Sequence, residues 1–364
     1  MSTTLNFTTV FQYEEHTVTY GNSSDVKQIF YLAAGPLLGP LLIFMHGWPG
    51  ISLEWYPQLQ YFAALGFRVI APDMPGYGRS TARHIISDYT QEQIVKGMLA
   101  LLADTGRDQA IWIGHDQGAN TLWTLANTQP QVVRAAAGIS VPYNSLELGL
   151  VELLSSVNRQ IYPIDRYPYG QWSYMVYDDT NYDNVTAWFD SDILGIMKLI
   201  HTLGSPDDVG KPAFTSDVVR DGGWLGGAPA PPKPEDTPDS AVRLIPPVFN
   251  AVVAAMENTT FGPGNAWFRN EAANRAFNLA NNKNNLTLDI PVFFVNAYWD
   301  AICDTVTGNL ADRMRRTCSD LTEVVINAGH WVNTDQPEKV NSAMERWIFE
   351  KVTDFWPGRA LPTL

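Results

Sequence analysis

The feature that most constrains this chain is the segment Gly114–Gly118, with the sequence GHDQG, which lies between an apolar run and a helix-like run. The apolar residues Ala110–Ile113 predict a buried strand, and Ala119–Asn127 predict a helix. Two glycines flanking one residue at such a junction are typical of a strained turn that presents a nucleophile. The residue in that position is Asp116. An ordinary strand-turn-helix with an acidic residue at the helix start would look the same locally, so the rest of the chain has to decide.

Asp116 changes the chemistry expected of such a turn. A carboxylate needs no deprotonation before it attacks, and at a saturated carbon it forms an ester. A serine at this place would instead suit esters and amides. The substitution therefore predicts an electrophilic sp3 carbon in the substrate.

The composition favours a folded protein acting on a small molecule. The chain has 364 residues, of which 45% are hydrophobic and 17% charged, as in a protein with a large core. A net charge of −14 argues against nucleic acid and anionic membranes as partners. Cys303 and Cys318 form neither a disulfide framework nor a zinc pattern, so we expect no metal and no organic cofactor.

The start of the chain lacks the basic and apolar regions of a signal peptide, and the longest apolar runs are too short for a bilayer. We therefore expect a cytoplasmic location and no membrane span. The sequence leaves a homodimer open.

Short apolar runs alternate with helix-like segments over two stretches of the chain. The runs before the middle of the chain cover residues 40–45, 67–71, 110–113 and 132–139, and those after it cover 291–296 and 321–326. Helical patterns cover 53–64, the region of Ile94 to Leu102, 307–315 and 337–352. This alternation predicts an α/β fold with a mostly parallel, doubly wound sheet. Phe7–Phe11 and His16–Tyr20 predict antiparallel edge strands.

Between the two stretches the pattern becomes helices and long loops, including a Gly- and Pro-rich loop over 222–240. We therefore predict a first core part over 1–144, an inserted helical lid over 145–275 and a second core part over 276–364. Residues 145–275 are called the lid below.

Four predicted strands end at residues that could carry chemistry: His46–Pro49, Asp116, Asp300 and His330. In open α/β sheets, ligands bind beyond the carboxyl ends of the strands. These residues should therefore meet in space despite their separation in sequence. Their order, nucleophile then acid then histidine, is that of an α/β-hydrolase.

With these motifs in place, the chain resembles the epoxide hydrolase family of the α/β-hydrolase superfamily over most of its length. His46–Pro49 (HGWP) is similar to the family's oxyanion loop, and Gly114–Gly118 is similar to its aspartate turn. Asn296–Asp300 and Gly329–Trp331 stand where the family has its acid and its base. Haloalkane dehalogenases share the aspartate but usually follow it with a halide-binding tryptophan, where this chain has Gln117.

The resemblance implies a role for each residue. Asp116 would form an alkyl-enzyme ester, and His330 would activate the water that hydrolyses it. Asp300 would orient His330, with Asp304 as a weaker alternative. The backbone N–H groups of Trp48 and Gln117 would form the oxyanion hole, and the Trp48 ring could wall the pocket.

The resemblance also implies two lid tyrosines that donate to the ring oxygen, and only the first is present. Tyr174 stands in the first position, with Tyr177 as a reserve. Phe268 stands where the second tyrosine is expected, and phenylalanine has no donor. The bond before Pro49 is expected to be cis, and His115 to be structural.

The sequence thus predicts a hydrolase that opens an apolar epoxide, or a related metabolite, to a vicinal diol. The alternative is the same scaffold redirected to cyclisation, elimination or another hydrolysis of a specialised metabolite, which Phe268 motivates. A dehalogenase is disfavoured by Gln117. A catalytically inert binding module is disfavoured by Asp116, Asp300 and His330 together.

Overall fold

The structure, a computed structural model, describes residues 13–359. Within these residues one sheet of eight strands forms the centre of the fold. The strands are β1 (Glu14–Asn22), β2 (Asp25–Ala34), β3 (Leu41–Met45), β4 (Arg68–Pro72), β5 (Ala110–His115), β6 (Val133–Ile139), β7 (Leu288–Ala297) and β8 (Cys318–Ile326). Their order across the sheet is β1-β2-β4-β3-β5-β6-β7-β8.

The six strands β3 to β8 are mutually parallel, and β2 pairs antiparallel with both β4 and the edge strand β1. The predicted doubly wound sheet with an antiparallel edge is therefore confirmed. The central strands β3, β4 and β5 are buried along their whole length, which explains their unbroken apolar sequences. Because helices cover both faces, alternation with polar residues is not needed there.

Fifteen α-helices surround the sheet in this part of the chain. They are α1 (Tyr56–Ala64), α2 (Gln91–Asp104), α3 (Gln117–Thr128), α4 (Gly149–Ser155), α5 (Ser173–Thr180), α6 (Tyr182–Asp190), α7 (Ile193–Ile200), α8 (Val218–Asp221), α9 (Trp224–Gly227), α10 (Pro246–Thr259), α11 (Phe261–Asn265), α12 (Glu271–Asn281), α13 (Asp312–Thr317), α14 (Val332–Asp335) and α15 (Pro337–Lys351). No helix within residues 13–359 has the length and apolar character needed to cross a bilayer.

Helix α3 lies at the centre of the molecule, and every one of its residues is buried. Gly138 of β6 lets it approach the sheet, since a Cβ at Gly138 would lie 2.3 Å from the Trp123 ring of α3. The carboxyl ends of β3, β5, β7 and β8 carry His46, Asp116, Asp300 and His330. The lid helices α4 to α11 lie between β6 and β7 in the chain, as the change of sequence pattern predicts.

The helix predicted near 307–315 is present but starts later than predicted, because α13 covers Asp312–Thr317. The Asp304 carboxylate accepts hydrogen bonds from the amides of Val306 (3.1 Å) and Thr307 (2.8 Å), so the preceding backbone forms a turn instead. The Gly- and Pro-rich loop over 222–240 contains only single short turns. The predicted strand at Phe7–Phe11 lies outside the described residues.

Candidate active site

Asp116 lies on a sharp turn between β5 and α3. Its backbone has φ 52° and ψ −121°, a left-handed conformation that non-glycine residues rarely adopt. The positions two residues before and after it must be glycine, because a side chain there would clash with neighbouring backbone. A Cβ at Gly118 would lie 2.1 Å from the Met45 carbonyl oxygen, and one at Gly114 would lie 2.5 Å from the Gly118 carbonyl oxygen. The GxDxG pattern therefore holds β3, β5 and α3 close enough to lift the Asp116 side chain beyond the sheet.

The loop after β3 approaches Asp116 from the other side. The Trp48 amide donates to Asp116 Oδ1 at 2.7 Å, and a Cβ at Gly47 would lie 2.4 Å from the Asp116 Cβ. Gln117 is the first residue of α3, so its amide has no acceptor inside the helix. The Trp48 amide thus binds the Asp116 carboxyl group, and the Gln117 amide, next in the chain, is a second backbone donor without a helical partner. The Trp48–Pro49 peptide bond is cis, which confirms the prediction.

The buried His46 ring holds this loop in place through two hydrogen bonds. Its Nδ1 donates to the Gly47 carbonyl oxygen at 2.9 Å, and its Nε2 accepts from the Met74 amide at 2.9 Å. Burial lowers the pKa of His46 to about 4, so the ring is neutral and suits both bonds. His46 is therefore part of the support for the loop.

His330 stands between two carboxylates. Its Nε2 is 3.6 Å from Asp116 Oδ2, and its Nδ1 is 2.6 Å from Asp300 Oδ2. The other oxygen of Asp300 accepts from the amides of Ile302 (3.1 Å) and Cys303 (2.9 Å), which fixes the carboxylate. The carboxylate of Asp304 is engaged in its own turn. The structure thus brings Asp116, His330 and Asp300 together in one line.

The charges of Asp116, His330 and Asp300 shift the pKa values of His330 and Asp116 in the direction opposite to burial. Burial lowers the pKa of His330, but the charge of Asp300 and the hydrogen bonds to Asp116 and Asp300 outweigh it and raise the pKa well above its ordinary value. Burial likewise raises the pKa of Asp116, but the hydrogen bond and charge of His330 outweigh it and lower the pKa. The arrangement therefore favours a charged imidazolium beside an ionised Asp116.

His115 packs beside His330 and is bonded to the His330 backbone, not to the Asp116 carboxylate. Its Nε2 is bonded to the backbone oxygen of His330 at 2.9 Å, so that nitrogen carries the proton. Burial lowers the pKa of His115 to about 3, which keeps the ring neutral. Its position agrees with the structural role expected of it.

The lid brings Tyr174 and Phe268 to the cavity above Asp116 but keeps Tyr177 away. The rings of Tyr174 and Phe268 are 5.9 Å apart, and the Phe268 ring is 5.8 Å from that of Trp48. Burial raises the pKa of Tyr174 well above its ordinary value, so its hydroxyl keeps its proton. Tyr177 is absent from the cavity wall and donates to the Gly222 carbonyl oxygen at 2.6 Å.

A narrow cavity of about 60 Å³ separates the lid from Asp116. The residues that line it are mostly apolar or aromatic, and they include Asp116, Gln117, Tyr174, Cys303 and His330. No lysine or arginine is among the lining residues of the described chain. Since a water molecule occupies about 30 Å³ in the liquid, the space is small, and a longer substrate requires the lid to adjust.

The His330 loop is held by the end of lid helix α7, a feature that the sequence did not reveal. The Trp331 indole N–H donates to the Ile200 carbonyl oxygen at 2.8 Å, and the His330 amide donates to the Leu203 carbonyl oxygen at 3.3 Å. The His201 ring stacks on Trp331 with centroids 4.3 Å apart. The orientation of the His330 ring therefore depends on how the lid packs against this loop.

Asp300, Cys303 and His330 form the one group of potential metal ligands found within residues 13–359. Asp300 already binds His330 Nδ1 through a proton at 2.6 Å, so a metal ion would have to replace that proton. Burial raises the pKa of Cys303 to about 12, which keeps the thiol protonated and makes it a poor ligand. The cluster is better explained by the orientation of His330.

Comparison with known proteins agrees with the fold. Residues 40–188 match a family model described as the alpha/beta hydrolase fold. The solved structure of epoxide hydrolase A from Mycobacterium thermoresistibile superposes with a TM-score of 0.73 over 93% of this chain and 98% of that chain, at 24% identity. An epoxide hydrolase from Vigna radiata gives a TM-score of 0.72 with the same coverage and identity. The chain therefore has the α/β-hydrolase fold.

Among proteins with this fold, the chain is similar to epoxide hydrolases. It is 26% identical to epoxide hydrolase A of Mycobacterium tuberculosis over 86% of this chain and 92% of that protein. It is 40% identical to bifunctional epoxide hydrolase 2 of Sus scrofa over 105 residues, which are 29% of this chain and 19% of that protein. This local match therefore spans less than a fifth of that relative's length.

Proposed function

We propose that this protein hydrolyses an epoxide to a vicinal diol through an ester on Asp116. The observation that carries the proposal is the line Asp116–His330–Asp300, with contacts of 3.6 Å and 2.6 Å and with the Trp48 amide 2.7 Å from the attacking carboxylate. The epoxide hydrolase names of the relatives support the choice of electrophile.

In the first step an oxygen of Asp116 bonds to a ring carbon, and the bond between that carbon and the ring oxygen breaks. The ring oxygen takes the proton of Tyr174, whose raised pKa means that it gives the proton up only as the alkoxide develops. Formation of the ester removes the negative charge of Asp116. The pKa of His330 then falls, because the carboxylate beside it is no longer ionised, and the imidazolium releases its proton to solvent and becomes a neutral base.

In the second step His330 takes a proton from water, and the hydroxide adds to the carboxyl carbon of Asp116. The backbone amides of Trp48 and Gln117 would stabilise the resulting oxyanion. The ester bond then breaks and releases the diol. Of the two water hydrogens, one ends on the diol and the other restores the His330 imidazolium, while the proton that His330 released restores Tyr174 and the water oxygen stays in the Asp116 carboxylate.

A second candidate is the same scaffold redirected to cyclisation, elimination or another hydrolysis. Phe268 favours it, because this ring faces Tyr174 in the cavity and supplies no second donor to a ring oxygen. Dehalogenation is less favoured, since Gln117 Oε1 is already bonded to Asn120 Nδ2 at 3.0 Å and presents no indole N–H to a halide.

The test is to trap the ester. His330→Gln removes the base for the second step and leaves Asp116 in place, so incubation with a terminal epoxide should increase the intact mass by one substrate. Peptide mapping should locate the adduct on Asp116. His330→Gln/Asp116→Asn is the matched control and should gain no mass. An adduct elsewhere, or turnover by Asp116→Asn at the rate of the unmodified protein, would contradict the proposal.

A further inference from the structure

Four tryptophans line the cavity, and one of them differs from the others. The indole N–H of Trp48 donates to Asn265 Oδ1 (3.0 Å), that of Trp224 to Asp178 Oδ1 (2.9 Å) and that of Trp331 to the Ile200 carbonyl oxygen (2.8 Å). The Trp172 indole N–H is buried and has no acceptor among the described residues. An indole nitrogen can only donate a hydrogen bond. Unlike an amide or an imidazole, it cannot exchange donor and acceptor roles.

Trp172 is 3% exposed and ends a short 3-10 turn (Gly170–Trp172) in the lid. Leaving a buried donor unpaired is costly, and most buried polar groups in proteins have a partner. A second buried donor without a partner lies on the side of the cavity that the core forms. Gln117, directly after Asp116, has a buried Nε2 without a partner while its Oε1 accepts from Asn120. Unused donors therefore belong to both walls of one cavity.

We propose that Trp172 is a recognition point for a second oxygen on the substrate, separate from the oxygen of the reacting ring. This inference rests on the proposed epoxide hydrolysis. The Trp172 residue lines the cavity and no described residue supplies an acceptor for its N–H, so the proposed acceptor is an oxygen of the bound substrate. The substrate class is then an epoxide that carries an ether, carbonyl or hydroxyl oxygen on an otherwise apolar chain.

The acceptor should be neutral. Asp116 and Asp300 place negative charge at the floor of the site, and no lysine or arginine lines the cavity in the described chain. A carboxylate or phosphate on the substrate would meet repulsion and lose its hydration without a compensating charge. A neutral oxygen pays a smaller desolvation cost and gains the indole N–H.

The experiment compares epoxides of equal length that differ in one atom. The probes are 1,2-epoxyheptane and its analogues in which an ether oxygen replaces a methylene at successive chain positions. The unmodified protein should prefer one ether position, with kcat/KM about three- to tenfold above that of the all-carbon epoxide, as expected for one neutral hydrogen bond. In Trp172→Phe, which removes the N–H and keeps an aromatic ring, this preference should disappear.

Trp224→Phe is the matched control, because it removes a cavity indole whose N–H is already bonded to Asp178. It should change kcat/KM for the all-carbon and ether epoxides by the same factor. A preference that survives in Trp172→Phe, or no preference at any ether position in the unmodified protein, would overturn the Trp172 assignment. Failure of every epoxide to form an Asp116 adduct in His330→Gln would instead overturn the proposed function, and this inference with it.

Discussion

Asp116 owes its reactivity to the backbone around it. Its left-handed conformation, at φ 52°, costs of order 1–3 kcal/mol and persists only where neighbours enforce it. Gly47 and Gly118 leave the space, and the Trp48 amide binds the raised carboxylate. In the proposed mechanism, the same amide that holds the resting carboxylate would stabilise the oxyanion that forms on it. One local geometry would then serve both proposed steps.

Tyr174 and Tyr177 are three residues apart and should behave differently. Tyr174→Phe should slow ester formation by about 10²–10³, by analogy with the loss of one oxyanion donor. Tyr177→Phe should leave the rate within about threefold, because its hydroxyl binds the Gly222 carbonyl oxygen outside the cavity and contributes little net energy. Rapid-quench measurement of the Asp116 adduct separates the two. Equal rates for the two variants would remove Tyr174 from its proposed role.

Phe268 offers the opposite test. Phe268→Tyr adds a hydroxyl to a ring that lines the cavity and lies 5.9 Å from the Tyr174 ring. If the missing second donor limits ring opening, ester formation should become faster by about tenfold or more. Phe261→Tyr, at a buried ring that is outside the cavity wall, is the control for a general effect of added hydroxyl groups. No gain in Phe268→Tyr would favour the redirected chemistry.

At the scale of elements, the lid and the His330 loop form one unit. Trp331→Phe removes the donor to Ile200 at the end of α7 and should loosen His330. Because the proposed mechanism uses His330 as the base only in the second step, ester hydrolysis should slow by about tenfold while ester formation changes little. Trp347→Phe is the control, since Trp347 is a buried tryptophan of α15 that stacks on Phe293 of the sheet. Equal slowing of both steps by Trp331→Phe would argue for a purely structural role.

Elements whose cause is local could be predicted from the sequence. The GxDxG turn follows from space around Gly114 and Gly118, and buried parallel strands follow from unbroken apolar runs. Asp300 and His330 could be found because each follows a parallel strand at the same edge of the sheet, although β8, which precedes His330, is a partly exposed edge strand. The helix start at Asp312 was missed, because the Asp304 side chain competes for the backbone. Trp172 was missed because its unpaired N–H depends on how the lid packs.

For the whole molecule, buried lid acids should make stability fall as pH rises. Burial raises the pKa of Glu271 from 4.5 to about 8 and that of Asp178 from 3.8 to about 8. Between these limits the folded protein keeps protons that the unfolded chain has lost, so the free energy of unfolding decreases with increasing pH. The melting temperature should therefore drop from pH 5 to pH 8. The lowered pKa of Glu14, about 2, acts only at more acidic pH.

Glu271→Gln is the control for this pH dependence, because a carboxamide of nearly the same shape cannot ionise. Its melting temperature should fall less between pH 5 and pH 8 than that of the unmodified protein, as followed by circular dichroism. A melting temperature that rises over this range, or a slope unchanged in Glu271→Gln, would show that these carboxyl groups are not held protonated in the folded protein.

The central claim is that Asp116 itself delivers an oxygen to the product, and single-turnover labelling tests it most directly. The protein in excess is mixed with an epoxide in water enriched in ¹⁸O, and both diol and protein are analysed by mass spectrometry. We predict that the first-turnover diol contains no label and that the peptide containing Asp116 gains one ¹⁸O. A labelled first-turnover diol with an unlabelled Asp116 would mean direct attack by water and would contradict the account.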